Sequence, residues 1–199
     1  MTQAIDKHAN VIWEGRYQPI HRGHLAYIEM LLERAHHLWL FVVMNETSRD
    51  AGMSLEHLPV PEFTREVDPH HVPEKNPLPF WLRYRLVAET VRSEFPDAPV
   101  TVWGGRRLDL AWPLYTKAFP PDRIFLTPLR DTFEDTKAAA WDKLGERVLR
   151  VDVSHLPAIS ATATREALRN GTAFEKFLAP STVAILEETG YLDTLMALR

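Results

Sequence analysis

Short runs rich in β-branched and aromatic residues alternate along this chain with longer segments of helical periodicity, an order that few folds accept. Val11 to Trp13, Trp39 to Val43, Val100 to Trp103, Arg123 to Thr127 and Arg147 to Val153 read as strands. Between the first two, Leu25, Ile28, Leu31, Leu32 and Ala35 recur at helical spacing and give the connecting helix one apolar face. Phe80 to Phe95 reads as the helix before the third strand, closed by Pro96. After Val153 the pattern turns helical, with helices at Thr162 to Arg169 and Pro180 to Glu188 and with Gly171 and Gly190 as helix ends.

Repeated strand, helix, strand units bury a parallel sheet between two helical layers. The expectation is therefore an α/β fold, a Rossmann-like doubly wound parallel sheet of about five strands with a C-terminal helical extension. A length of 199 residues suits a single domain, residues 1–199, with an α/β core at 1–153 and a phosphate-binding loop and helices at 154–199. The stretch Asn45 to Pro79 holds six of the 15 prolines and little periodicity, so it reads as a long loop.

Composition excludes several classes of function. With no cysteine, the chain has no disulfide framework, thiolate metal site or thiol nucleophile. No apolar run approaches the roughly 18 residues of a spanning helix, and the start at Met1 to Asn10 is too polar for a signal peptide. The expectation is a cytoplasmic protein with no membrane partner, and a homo-oligomer is compatible with the sequence. A net charge of -4 gives no general attraction to nucleic acid, so a polyanion must be met by local arginines: Arg16, Arg22, Arg83, Arg106, Arg107 and Arg165.

Two short words carry the chemistry. Gly15-Arg16-Tyr17-Gln18-Pro19-Ile20-His21-Arg22-Gly23-His24 follows the first strand and opens the first helix. That places a tight turn and a helix N-terminus where a doubly wound sheet binds its ligands. His21 and His24 share a helical face, and Gly23 removes bulk between them. Two imidazoles and a guanidinium are suitable donors for a triphosphate, whose substitution needs positioning and charge stabilisation more than covalent chemistry. Ile159-Ser160-Ala161-Thr162-Ala163-Thr164-Arg165 is the second word. Ser160 and Thr162 are good N-cap residues, and Arg165 supplies a fixed charge for phosphate oxygens.

The first word resembles the G-R-F-Q-P-x-H-x-G-H signature of the HxGH nucleotidylyltransferase superfamily, above all its archaeal-type nicotinamide mononucleotide (NMN) adenylyltransferases, with Tyr17 in place of Phe. The second word resembles that superfamily's I-S-x-T-x-x-R. The resemblance implies catalytic roles for His21, His24 and Arg165, with His24 at the reacting α-phosphate. It also implies nucleotide contacts from Gly15, Arg16, Tyr17, Gln18, Gly23, Ser160 and Thr162. Lys75-Asn76-Pro77 with Arg83 is similar to a K-N-P pattern of the archaeal-type enzymes, and Trp112-Pro113-Leu114-Tyr115 to their W-x-x-Y, in which the tryptophan stacks on nicotinamide. Asn76, Arg83 and Trp112 are accordingly the expected acceptor-binding residues.

What the resemblance implies is transfer of AMP from ATP to NMN, giving NAD and pyrophosphate, with Mg²⁺ accompanying ATP and no dedicated metal site on the protein. Departures keep other acceptors open. Asp109 is not at the family's acidic spacing, Thr127-Pro128-Leu129-Arg130 stands where relatives carry Ser-Gly-Asn, and Gly104-Gly105-Arg106 lacks the aspartate of bacterial forms. The alternatives are a cytidylyltransferase or adenylyltransferase for a different phosphorylated or phosphonate metabolite, and a nucleotide sensor without catalysis. A class I aminoacyl-tRNA synthetase fits less well, because no K-M-S-K-S-like loop is present. His70-His71 with Asp68 and Glu74 reads as a solvated loop rather than a metal site, His36-His37 as a helix C-terminus, and Asp131, Glu134 and Asp135 as a solvated acidic helix start.

Overall fold

The computed structural model describes residues 7–44, 46 and 54–197. Five strands, β1 (His8–Gly15), β2 (Ala35–Met44), β3 (Val100–Arg106), β4 (Arg123–Leu129) and β5 (Val148–Asp152), form one sheet in the order β3-β2-β1-β4-β5. Every recorded pairing is parallel. Strand order thus reverses between β1 and β4, the switch point of a doubly wound sheet.

The two faces follow from alternation along each strand. Val11, Trp13, Leu38, Leu40, Val42, Ile124 and Leu126 face a core shared with α1 (Arg22–Leu32), α3 (Phe80–Glu94), α7 (Pro180–Glu188) and α8 (Tyr191–Ala197). Ile12, Phe41, Val43 and Phe125 face the other core, built with α4 (Leu108–Tyr115) and α5 (Thr132–Lys143). Each fully buried side chain of this kind contributes on the order of 1.5–3 kcal/mol, so the two cores fix the strand register.

β1 pairs with β4 only from Asn10↔Arg123 to Ile12↔Phe125, although both strands run on, to Gly15 and Leu129. The carboxyl ends therefore diverge and leave a crevice. The first word opens it on one side and the end of β4 lies on the other.

Several sequence expectations need correction. The first helix ends at Leu32, and Ala35, His36 and His37 belong to β2, because Ala35 pairs with His8 and His37 with Asn10. His37 Nε2 lies 2.8 Å from Thr101 Oγ1 on the next strand. The long loop is not structureless: Pro61 starts α2 (Pro61–Val67), and three 3₁₀ turns flank it at Leu55–His57, Asp68–His70 and Pro73–Lys75. Asn45 and residues 47–53 of that loop lie outside the described residues. The C-terminal extension holds α6 (Ala161–Arg169), α7 and α8, and Gly171 and Gly190 take the left-handed conformation that ends α6 and α7.

Candidate active site

Gly15 ends β1 because the chain turns back on itself there. A Cβ on Gly15 would come within 2.8 Å of the Tyr17 ring, and Tyr17 itself holds φ 49°. The Tyr17 side chain is buried edge-on against Trp13 and His24. Its ring shapes the turn, and only its main chain is available to a nucleotide.

His21 is the N-cap of α1. The His24 backbone N–H donates to His21 Nδ1 and the His21 backbone N–H donates to His24 Nδ1, each at 3.2 Å. This reciprocal box stacks the two rings at 3.6 Å between centroids. Both Nδ1 atoms accept, so a neutral ring must carry its proton on Nε2. Burial pushes His21 down to about 4, with Arg130 lowering it further, and pushes His24 well below the ordinary range, with His21 and Arg130 as added causes. The helix start therefore offers two neutral, backbone-locked Nε2–H donors at physiological pH.

The second word docks directly on the first. A Cβ on Gly23 would meet Ile159 Cβ, Ile159 O and His21 Nδ1, all at 3.1 Å, so glycine is what lets the segments touch. Ser160 caps α6 by accepting from Ala163 N–H at 3.1 Å, whereas Thr162 is the second residue of the helix and is exposed. Arg165 Nη1 donates to Gln18 O at 2.8 Å. Gln18 is buried, and its amide exchanges two hydrogen bonds with the main chain of Leu78, at 3.2 and 3.0 Å. It is the strut joining all three expected segments.

Arg16 Nη1 donates to His70 O at 2.6 Å and reaches Asn76 Oδ1 at 3.4 Å. Asn76 Nδ2 donates to His70 O and Val72 O, both at 2.8 Å, and so shapes the loop around Arg16. Neither Arg16 nor Arg165 has a carboxylate partner at ion-pair distance among the described residues. Burial lowers both guanidinium pKa values, and the charge of Arg165 lowers that of Arg16 further. Two partly buried cations held near each other without counter-charge among the described residues are what anionic substrates would relieve.

Two expected acceptor contacts take other places. Arg83 is 0% exposed and ties together Leu78 O, Arg16 O, Val43 O and Glu46, so it joins the walls of the site rather than presenting an open face. Glu46 also accepts from the Phe80 backbone N–H. Trp112 is buried among Phe119, Phe125 and Trp141, with the Arg123 guanidinium 5.6 Å from its ring. Arg123 begins β4, at the end of the sheet opposite the histidines, so Trp112 is a core residue and not a stacking platform. The helix breaks at Ala111, φ -130°, two residues before Pro113.

Sequence reasoning missed a buried polar network below the crevice. Lys137 Nζ lies 3.6 Å from both Glu14 and Glu134, and Glu134 also accepts from Arg130 at 3.1 Å. Burial raises the Glu14 pKa while Lys137 opposes the shift. Glu134 is therefore not a solvated residue; Asp131 is the exposed N-cap of α5, accepting from Glu134 N–H at 3.0 Å. Arg107 is likewise buried, bridging Asp109 at 2.7 Å and Asp68 at 2.6 Å, and Thr64 Oγ1 donates to Asp109 at 2.7 Å. Only the alternation along β1 hinted at this, since Glu14 is the charged residue in an otherwise apolar strand end.

Among the described residues no group of three or more His, Asp or Glu side chains is arranged to hold a metal ion. No described helix is long and apolar enough to cross a membrane.

Comparison with known proteins gives a consistent set of similarities. Residues 12–167 match the family model described as Cytidylyltransferase-like. The chain is 24% identical over 191 residues to a phosphonoformate cytidylyltransferase of Streptomyces viridochromogenes, covering 92% of this chain and 93% of that one. It is similar in structure to a bifunctional NMN adenylyltransferase/ADP ribose pyrophosphatase of Francisella tularensis, with TM-score 0.60 and 14% identity. That match covers 96% of this chain but 52% of the bifunctional one. A provisionally described nicotinate-nucleotide adenylyltransferase of Vibrio parahaemolyticus matches with TM-score 0.60 and 16% identity, over 93% and 95% of the two chains. At these identities the solved structures bear on the fold.

Proposed function

The chain belongs to the Cytidylyltransferase-like family, a family of nucleotidyl-transferring enzymes, and from that premise we propose that it transfers a nucleotidyl group from a nucleoside triphosphate to a small phosphate or phosphonate. The carrying observation is the pair of backbone-locked Nε2–H donors of His21 and His24 beside Arg16 and Arg165, which lack carboxylate partners among the described residues. The substrate is the Mg²⁺ complex of the triphosphate, the ion being held by phosphate oxygens and water.

In this reading an oxygen of the acceptor attacks the α-phosphorus in line. A P–O bond forms, the bond to the bridging oxygen breaks, and pyrophosphate leaves with that electron pair. His24 and His21 donate to the non-bridging oxygens as charge builds on them, while Arg165 and the start of α6 hold the departing phosphates. No covalent intermediate is needed.

For the acceptor, the inward position of Trp112 removes the aromatic support that favoured NMN, and the 24%-identical relative is named for a phosphonate substrate. Both favour a compact oxyanion over a mononucleotide. The test is pyrophosphate release from ATP, CTP, GTP and UTP, each combined with NMN, methylphosphonate, phosphonoacetate, phosphonoformate or phosphocholine. Release that requires one triphosphate and a small phosphonate or phosphate supports the proposal. Release with ATP and NMN alone returns the acceptor to NMN, and binding without release with any pair defeats the enzymatic reading.

A further inference from the structure

The loop through His70 and His71 lies over the carboxyl ends of β1, β2 and β3, the half of the sheet away from Arg130. Its neighbours fix that place. Arg16 follows β1, Arg83 is tied to Val43 O near the end of β2 at 2.6 Å, and Arg107 follows β3. The loop is held by Arg16 and Asn76 on His70 O and by the His71 backbone N–H donating to Asp68 O at 3.0 Å. His71 Nδ1, in contrast, is buried and has no hydrogen-bond partner among the described residues. Leaving such an atom orphaned is costly, and in native sites it commonly marks a position that a ligand completes.

The charges around the ring show which ligand. Burial, then Arg107, Arg16, Arg83 and His70, push His71 down to about 2, so it is neutral and can place its single N–H on Nδ1. Arg107 is neutralised by Asp109 and Asp68, and Arg83 is engaged by carbonyls and Glu46. Among the described residues, Arg16 alone of the three meets only neutral oxygens, of His70 and Asn76. One buried N–H donor beside one guanidinium without counter-charge matches a planar carboxylate.

We propose that His71 and Arg16 form a subsite for a carboxylate, so that the acceptor is a small phosphonate or phosphate that also carries a carboxyl group. This rests on the nucleotidyl-transfer reading for the identity of the acceptor, whereas the anion preference stands on the unpartnered Nδ1 of His71 and on Arg16 alone. The phosphonate end then lies nearer the histidine pair, where its oxygen can reach the α-phosphorus.

The experiment compares two probes that differ in the carboxylate, phosphonoacetate and methylphosphonate, binding calorimetrically to the full chain in the presence of an α,β-methylene triphosphate. The wild type is expected to prefer phosphonoacetate by about tenfold or more, the range of a charge-assisted hydrogen bond. His71→Phe, which fills the space without a donor, is expected to bring the two within about twofold while leaving triphosphate affinity unchanged, and His71→Asn to restore part of the preference. The ¹⁵N resonances of the wild-type His71 ring should shift with phosphonoacetate and not with methylphosphonate, a readout independent of how the variants fold. Equal affinities in the wild type, a preference that survives His71→Phe, or an unmoved His71 resonance overturns the subsite. A retained preference without pyrophosphate release from any pair would instead defeat nucleotidyl transfer and leave the subsite standing.

Discussion

His24→Asn separates the histidine's two jobs. The Nδ1 atom accepts the His21 backbone N–H at 3.2 Å, and an asparagine oxygen can take over that bond, so the start of α1 stays capped. What asparagine cannot supply is the Nε2–H at the far side of the ring. In a water-poor site one fixed donor to a developing oxyanion is worth about 10²–10³ in turnover, or about 3–4 kcal/mol of barrier. The lost ring contacts, on His21 at 3.6 Å and on the edges of Tyr17 at 5.1 Å and Trp13 at 5.8 Å, should cost about 1–2 kcal/mol of folding stability. The expected variant is folded, binds triphosphate nearly as well as wild type, and turns over about 10² or more times slower. Pyrophosphate release at saturating substrate, beside a urea titration, measures both effects. A folded His24→Asn protein with turnover within about threefold of wild type would refute the donor role and leave the stacked pair a purely structural cap.

Arg165→Ala should raise the triphosphate KM by about tenfold or more and lower turnover, because among the described residues only one of its donors is engaged, by Gln18 O; unchanged nucleotide affinity and rate remove it from the site. Trp112→Phe should lower stability by about 1–3 kcal/mol and leave the acceptor KM within about twofold, since the ring packs on Phe119, Phe125 and Trp141; a selective rise in acceptor KM would return it to the pocket. Stability should fall on acidification. His21 has a folded pKa near 4, below its unfolded value, so the unfolded chain binds more protons in that interval. Its contribution, about 3 kcal/mol, is fully present above about pH 6.5 and lost as pH falls toward 4. Urea titrations at pH 7.5 and 5 check this, and His21→Asn, which keeps a cap, should flatten the slope; an unchanged slope would show that His21 titrates normally.

The strands and both words were legible because each has a local cause. β-branched runs alternate with the sheet faces, Gly15 and Gly23 sit where a side chain would collide, and Ser160 caps a helix. The rest depended on tertiary context. Ala35 to His37 continue the periodicity of α1, yet pairing with His8 to Asn10 draws them into β2. Trp112 lies on an apolar segment, and its inward position depends on packing against Phe119, Phe125 and Trp141, which are distant in sequence or on other elements. Arginine is an ordinary surface residue, so nothing in the sequence told that Arg83 would be fully buried and spent on carbonyl oxygens. The contact of Glu14 with Lys137 exists only because the strand order sets β1 beside β4. His71 looked like a solvated residue until Arg16, Asn76 and Asp68 were seen to fold its loop over the strand ends.

Attack at the α-phosphorus is the centre of this account, and ³¹P NMR of the enzyme with its triphosphate, Mg²⁺ and a responsive acceptor observes it directly. Pyrophosphate and a phosphoanhydride linking nucleoside monophosphate to acceptor are expected to appear in equal amounts and only when both substrates are present. Orthophosphate with nucleoside diphosphate, or pyrophosphate formed without any acceptor-linked product, would contradict it.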